Sequence, residues 1–507
     1  MELGGRTNEY VDQPGSRSGI GPWIRMHSVS IVCYSAFAAA YLALSWVGTP
    51  HVIDSYPDSH TYLPISFLGH AQRLWTVPVI YFVGGSPAGR VALQSIIGVA
   101  CWIALGEQVG RVIRTRVIRL VAQILILLLA LTAPVLQWNR AILSESIAIS
   151  LTVLLLATSL ALARRLDTPA VVAFLLVVLF WAFTRQDEAI VVFALLVPFA
   201  TLALVQRKRA RRMAFVALLG VALIGAWGTT TALQTTKMPL QGSKVSSQAQ
   251  LAGIVQWRAA TNPGEMTFLW NHGLPHTRAI TFPPPFTATG EPVNVNQFGN
   301  PFAEYRIAAD PAFRRWASKS GEMVLIKYLI THPWSTVSQP LINAPQLMTM
   351  NPDYIATPAL PEWASTIVYG NLSSLVVPNA PSGPPRSSDP IYLVVLVTIA
   401  VLLFIVGAFR RQLSRASWVA ALALAFGAIW ALVVWNLAAG DLPREFVAPA
   451  VLVHLALIVF IASALDSLVI NVPTQSTKTA TDLDPLRHSP SGSRGTDDLS
   501  QQGSHRP

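Results

Sequence analysis

Ten apolar runs, each close to the length needed to cross a lipid bilayer, constrain this chain more than any other feature. They fall near residues 27–48, 90–106, 119–137, 142–163, 169–184, 189–206, 213–233, 390–409, 416–438 and 447–465, the fifth being short. A helix needs about 20 apolar residues to span the hydrocarbon core. Lipid offers the backbone no hydrogen-bond partner, so continuous runs of this length are helices; barrel strands would instead alternate polar and apolar positions over about ten residues. With 52% hydrophobic and 12% charged residues over 507 positions, the chain is also more apolar than a water-soluble core of this size requires. The reading is an all-α integral membrane protein with about ten transmembrane helices.

Charge orients the runs. A net charge of +11 could suggest nucleic acid as a partner, but the cations cluster between apolar runs instead of lining a polar face. Nucleic acid is therefore excluded as a partner, and the lipid bilayer is the expected one. Arg111, Arg114, Arg116 and Arg119, then Arg164 and Arg165, then the basic stretch at 207–212, then Arg410, Arg411 and Arg415 all fall on one side when loops are counted alternately. That side is cytoplasmic by the positive-inside rule. Residues 1–26 form a cytoplasmic tail and no cleavable leader, so the first helix serves as the insertion signal. Residues 27–233 form a seven-helix module whose first outer loop is 49–89, 234–389 a loop-rich extracytoplasmic domain between helices 7 and 8, and 390–471 a three-helix module. The polar tail 472–507 has no apolar periodicity and is expected to be disordered and cytoplasmic. Cys33 and Cys101 lie inside apolar runs, so no disulfide framework is expected.

The unusual polar residues share the opposite face. Asp54 and Asp58 follow the first helix; Arg73, Arg140, Glu145, Arg185, Asp187, Glu188, Asp441, Arg444 and Glu445 sit at later boundaries on the same side. A carboxylate at the water–lipid boundary can take a proton from an acceptor hydroxyl. Arginines at the same depth present planar guanidinium groups suited to a phosphate.

Four short segments carry a resemblance: Asp58-Ser-His-Thr-Tyr62, Arg140-Ala-Ile-Leu-Ser-Glu145, Arg185-Gln-Asp-Glu188, and Pro443-Arg444-Glu445-Phe446 followed by Pro449. In order and sidedness they resemble motifs of the GT-C superfamily of polyprenyl-phosphate-sugar-dependent glycosyltransferases, in its protein O-mannosyltransferase and aminoarabinose-transferase branch. The first motif departs from the D-E-x-x-Y pattern of that branch, with Ser59 in the second acidic place. The resemblance implies a GT-C-like helical module acting on the outer face of the cytoplasmic membrane. It would transfer a sugar, with inversion, from a polyprenyl-phosphate donor to a cell-envelope acceptor: polysaccharide, glycolipid or protein. Asp58 or Asp54 would be the base, Arg140, Arg185 and Arg444 would bind the donor phosphate, and Tyr62, Arg73, Glu145 and Glu188 would support them. No cofactor is required by this reading. A divalent metal is an option weakened by Ser59, and no metal-ligating residue is assigned.

Each residue also has a plainer reading. Interfacial Arg, Asp and Trp act as anchors and helix caps, and Trp75, Trp138 and Trp181 fit an aromatic belt. His454, in the middle of the last run, reads as a packed histidine, and no second His at ligand spacing supports a zinc site. The rival function is a transporter or flippase for lipid-linked or anionic substrates. Transporters, however, place their charges near the bilayer midplane, whereas here they gather at one surface.

Overall fold

A computed structural model of the chain describes residues 20–46, 59–67, 71, 73–165, 167–185, 187, 188, 191, 248, 250–278, 280, 306–349, 359–369, 391–410, 412–437 and 442–470. The described residues form helices and no β-strand. In chain order these are α1 (Ile20–Trp46), α2 (Thr76–Gly84), α3 (Pro87–Val112), α4 (Arg116–Ala130), α5 (Ala133–Leu136), α6 (Glu145–Arg164) and α7 (Thr168–Ala182). There follow α8 (Pro263–Asn271), α9 (Pro311–Trp316), α10 (Glu322–Thr331), α11 (Pro333–Thr349), α12 (Glu362–Tyr369), α13 (Ile391–Phe409), α14 (Arg415–Leu437), α15 (Leu442–Glu445) and α16 (Val447–Ile470). Eight of the ten apolar runs coincide with helices of this set, and the runs at 189–206, apart from Val191, and 213–233 lie outside the described residues. By length and composition α3, α6, α14 and α16 can each cross a membrane. The chain is a helical, membrane-embedded protein.

Local sequence explains where several helices begin. Ser86 accepts a hydrogen bond from the Gly89 N–H, Asp167 from Ala170, Asn262 from Gly264 and Glu265, and Asp310 from Ala312 and Phe313. Each is followed within two residues by a proline, whose missing N–H costs nothing in a first helical turn. Gly85 turns the chain from α2 into α3 at φ 65°, a backbone conformation that L side chains rarely adopt.

The run at 119–137, expected as one span, is divided. α4 ends at Ala130, and α5 with the short 3-10 turn Gln137–Arg140 leaves at an angle of 53°. Pro134 has no N–H to continue the ladder, and the Thr132 hydroxyl donates to the Leu129 carbonyl at 2.7 Å. The Leu131 carbonyl at the break accepts from the Leu360 N–H at 3.1 Å, so the segment leading into α12 seals the gap.

α16 is the central post. It packs against α4, α6, α13 and α14 and is buried along nearly its whole length, as expected of a helix that is apolar all round. Asp466 near its far end accepts from the backbone N–H groups of Arg114 and Thr115 at 3.0 and 2.7 Å, clasping the α3–α4 connection. The apolar residues that face outward, such as Val117 and Val121 on α4 and Val394, Val395, Val401 and Leu402 on α13, form the surface offered to lipid. Trp138 and Trp181 are corrections to the aromatic-belt expectation. Both are fully buried; Trp181 meets the ring of Trp430 edge-on at 5.2 Å and donates to Thr152 at 2.9 Å. A ring flanked by helix on every side has no lipid boundary to mark. His454 is packed, with its ring parallel to Tyr369 at 4.8 Å and its nitrogens on the carbonyls of Ala450 and Tyr369. Cys33 is exposed on α1 and Cys101 is buried on α3.

Within 234–389 the described residues are more helical than a loop-rich domain suggests. The stretch 311–330 runs through α9, a π-helical turn at Ala317–Gly321 and α10. α8, α9 and α10 share a separate core around Val255, Leu269, Phe313 and Leu325. The proline-rich stretches at 281–292 and 379–385 lie outside the described residues. α11 contains Pro340, which cannot donate to the carbonyl one turn back, that of Thr336. Asn436 at the end of α14 supplies the missing donor, Nδ2 to the Thr336 oxygen at 3.2 Å.

Candidate functional site

The site lies where several helices end together. Glu145 opens α6, Arg185 follows α7, and Arg444 and Glu445 form the turn that leads into α16. The arginine-rich ends occupy the opposite end of the bundle: Arg111 and Arg116 at the α3–α4 connection, Arg164 and Arg165 after α6, and Arg410 and Arg415 between α13 and α14.

Glu145 is the centre of the cluster. Its Oε1 lies 3.3 Å from Nη1 of Arg185 and 3.0 Å from Nε of Arg444. Its place in the first turn of α6 sets a carboxylate at the positive end of the helix dipole. Arg185 also pairs through Nε with Oδ1 of Asp187 at 3.0 Å and through Nη2 with Glu445. The second oxygen of Asp187 accepts from the Trp430 indole N–H at 2.9 Å. Glu188, beside this network, is wholly buried.

Two guanidinium groups therefore share a largely buried space with the carboxylates of Glu145, Asp187 and Glu445, and the carboxyl group of Glu188 lies beside them. Burial works against the charge of Arg185, but Asp187, Glu145 and Glu188 outweigh it and hold its pKa above the ordinary value. For Glu188 burial acts in the same direction as Asp187, against Arg185, and lifts the carboxyl well above the usual carboxylate range. Burying charge costs several kcal/mol per ion even when paired, so an arrangement of this kind is a poor way to gain stability and marks a functional-site candidate. Ser59 Oγ, Glu145 Oε2 and both carboxyl oxygens of Glu188 are buried and have no hydrogen-bond partner among the described residues.

The first loop meets this rim. Ser59–Tyr62 forms a 3-10 turn whose Tyr62 hydroxyl lies 3.1 Å from Ser144 Oγ, one residue before Glu145. The Arg73 guanidinium sits 4.7 Å above the Tyr62 ring and donates to Thr61 at 2.9 Å. Thr76 reaches the end of α7, its N–H to Phe183 and its hydroxyl to Phe180, and Tyr81 donates to the Leu143 carbonyl at 2.5 Å. Trp75 packs among Phe67, Phe180 and Phe183. Asp54 and Asp58 lie outside the described residues, as does Asp441; the residue after Asp58, Ser59, is buried.

Arg140 is placed differently from the other two arginines. It is buried, and its Nε and Nη2 donate to the carbonyls of Ser45 and Leu44 at 3.3 and 3.1 Å, satisfying the open end of α1. Neighbouring Asn139 donates to Ser45 Oγ and accepts from Ser146, and Gln94 donates to the carbonyls of Asn139 and Ala141. Thus Glu145, Arg185, Glu188 and Arg444 come together, Tyr62 and Arg73 border them, and Arg140 secures the neighbouring turn.

Sequence reasoning noted Asp187 and Glu445 as boundary charges without assigning them a role, and it missed Trp430. Adjacency to Arg185 and Arg444 was the available signal for the acids; a tryptophan inside an apolar run gives none. Among the described residues, no group of three or more His, Cys, Asp or Glu side chains is disposed to hold a metal ion. No family model, curated protein or solved structure matches the chain.

Proposed function

We propose that this chain is a GT-C-type membrane glycosyltransferase with about ten transmembrane helices. It transfers a sugar from a polyprenyl-phosphate donor to a cell-envelope acceptor on the outer face of the cytoplasmic membrane. The observation that carries this reading is the convergence of Glu145, Arg185, Asp187, Arg444 and Glu445, from three distant segments, on one buried site bordered by the loop that follows Asp58.

The reaction is a single displacement. An acceptor hydroxyl attacks the anomeric carbon, Asp58 or Asp54 takes its proton, the bond from that carbon to the phosphate oxygen breaks, and polyprenyl phosphate leaves with the configuration inverted. Arg185 and Arg444 neutralise the departing phosphate, supplying charge-assisted donors where negative charge grows. Glu145, Asp187 and Glu445 hold these guanidinium groups in position before the donor arrives, so a bound phosphate exchanges places with carboxylates instead of ordering free side chains. Arg140 acts at one remove, by holding the turn that carries Ser144 and Glu145.

The deciding assay incubates purified protein in lipid nanodiscs with a radiolabelled polyprenyl-phosphate sugar and a membrane extract. Transfer of label to a larger product is the expected result. Label that stays on the donor across plausible sugars overturns the reading. Sidedness is tested separately by impermeant-thiol labelling of Ser55→Cys and Ser491→Cys in intact cells, where reaction at the first position alone is expected. A transporter is the competing reading, favoured by the 53° break after α4 and the fully buried Glu188. It predicts uptake or flipping of the labelled lipid without any new glycosidic bond.

A further inference from the structure

Among the described residues, one face of the α10–α11 region has no protein partner that explains its composition. The inner side of α10 carries Val324, Leu325 and Tyr328, all buried, the first two in the core shared with α8 and α9. The outer side carries Met323, Ile326 and Ile330, and α11 continues it with Trp334, Val337 and Leu341, all exposed. The spacing of three and four residues places them along one side of each helix. Met323, Ile330 and Trp334 are 68%, 72% and 81% exposed, far beyond the usual scatter of apolar residues on a water-facing surface.

Two observations identify what covers this face. First, α11 packs on α13, α14 and α16, so its exposed side continues the apolar surface those helices offer to lipid, including Ile429 and Leu437 of α14. Second, the face is edged by cations. Lys319 and Lys327 stand one turn to either side of Met323, Arg314 and Arg315 precede them, and all four are exposed, Lys327 also lying 3.0 Å from His272 Nε2; Glu322 is the one exposed carboxylate between Pro311 and Thr331. Apolar side chains bordered by lysines, with a tryptophan at the bend, suit the boundary between acyl chains and headgroups, where long cationic side chains reach outward to phosphate.

We propose that α10 and α11 form an amphipathic bracket that lies in the membrane interface, in the leaflet at the end of the bundle holding the Glu145 cluster, and binds anionic phospholipid. Met323, Ile326, Ile330, Trp334 and Leu341 enter the acyl region, and Lys319 and Lys327 pair with headgroup phosphates. This does not depend on the transfer reaction proposed above.

The test uses the full chain, with Cys33→Ser and Cys101→Ser, in bilayers of phosphatidylcholine with or without phosphatidylglycerol. Spin labels are attached in separate variants at Met323→Cys, Ile330→Cys and, as a water-facing control on α8, Thr267→Cys. Labels at 323 and 330 should collide more often with oxygen than with a water-soluble nickel chelate, and the label at 267 should show the reverse. Adding Lys319→Gln and Lys327→Gln should reduce immersion at 323 in bilayers with phosphatidylglycerol and leave it unchanged in pure phosphatidylcholine. Nickel access at 323 and 330 equal to that at 267 overturns the proposal. So does spin–spin broadening that grows with protein-to-lipid ratio, which would mark the face as an interface between two copies. Immersion indifferent to the lysine changes in both lipids overturns the anionic-headgroup pairing.

Discussion

Arg185 and Arg444 close on a single atom, Oε1 of Glu145, from two segments far apart in the sequence, at 3.3 and 3.0 Å. The carboxylate is shared, so its removal takes a partner from both guanidinium groups at once, leaving Arg185 on Asp187 and Glu445 and Arg444 on Glu445. Glu145→Gln should therefore destabilise the protein by about 3–5 kcal/mol, the cost of breaking a buried pair by deleting one partner. Thermal unfolding in detergent measures it. A loss well under 1 kcal/mol would mean that the remaining carboxylates carry the two arginines unaided.

Glu188 gives a pH dependence with a definite sign. Its carboxyl is raised in the folded protein, so the folded state holds a proton that the unfolded chain releases. The stability it provides is complete below the ordinary carboxylate pKa and is lost as pH rises towards the folded value, with a slope of at most about 1.4 kcal/mol per pH unit. Glu188→Gln should flatten that slope and match or exceed wild-type stability above neutral pH. Melting temperatures recorded from mildly acidic to mildly alkaline buffer check this; an unchanged slope in the variant would assign the proton elsewhere.

Trp430→Phe keeps an aromatic ring against Trp181 and removes the N–H that Asp187 accepts. A hydrogen bond to a charged group contributes about 1.5–3 kcal/mol, so a loss in that range is expected. Asp187 would then pivot on Arg185 alone, and donor affinity should fall with it. Stability and binding of a polyprenyl-phosphate analogue read the two effects separately.

For the reaction itself, Asp58→Asn should abolish transfer while leaving expression and donor binding near wild type. Loss of a general base costs roughly 100-fold to 10,000-fold in rate. Asp54→Asn should be milder, and the order reverses if Asp54 is the base. Full activity in both variants would remove these carboxylates from the mechanism.

Much of the helical architecture was legible because lipid-spanning helices announce themselves by unbroken apolarity, as α3, α6, α14 and α16 do. What composition cannot show is which side of such a helix meets protein. Trp138 and Trp181 look like interfacial anchors until the packing of neighbouring helices encloses them. The break after α4 was signalled by Pro134, but its closure by Leu360 depends on a contact remote in sequence. At the site, the boundary charges identified the participants and not the pairings. Arg140 and Glu145 are five residues apart, yet one turns to the end of α1 and the other to Arg185 and Arg444. Pro340 in α11 leaves the Thr336 carbonyl open, and its donor, Asn436, comes from α14, a contact that local sequence does not show.

That asparagine has a mechanical consequence. Its side chain holds α11 through Thr336, and its carbonyl accepts from Arg258 at 2.6 Å, a residue from the start of the α8–α10 layer. Six positions earlier on the same helix, about 9 Å at 1.5 Å per residue, Trp430 holds Asp187. Helix α14 is thus a short lever with the outer helices tied near its tip and the charged cluster tied further in. A load that tilts one, such as a change in bilayer thickness, bears on the other without any intervening loop having to move.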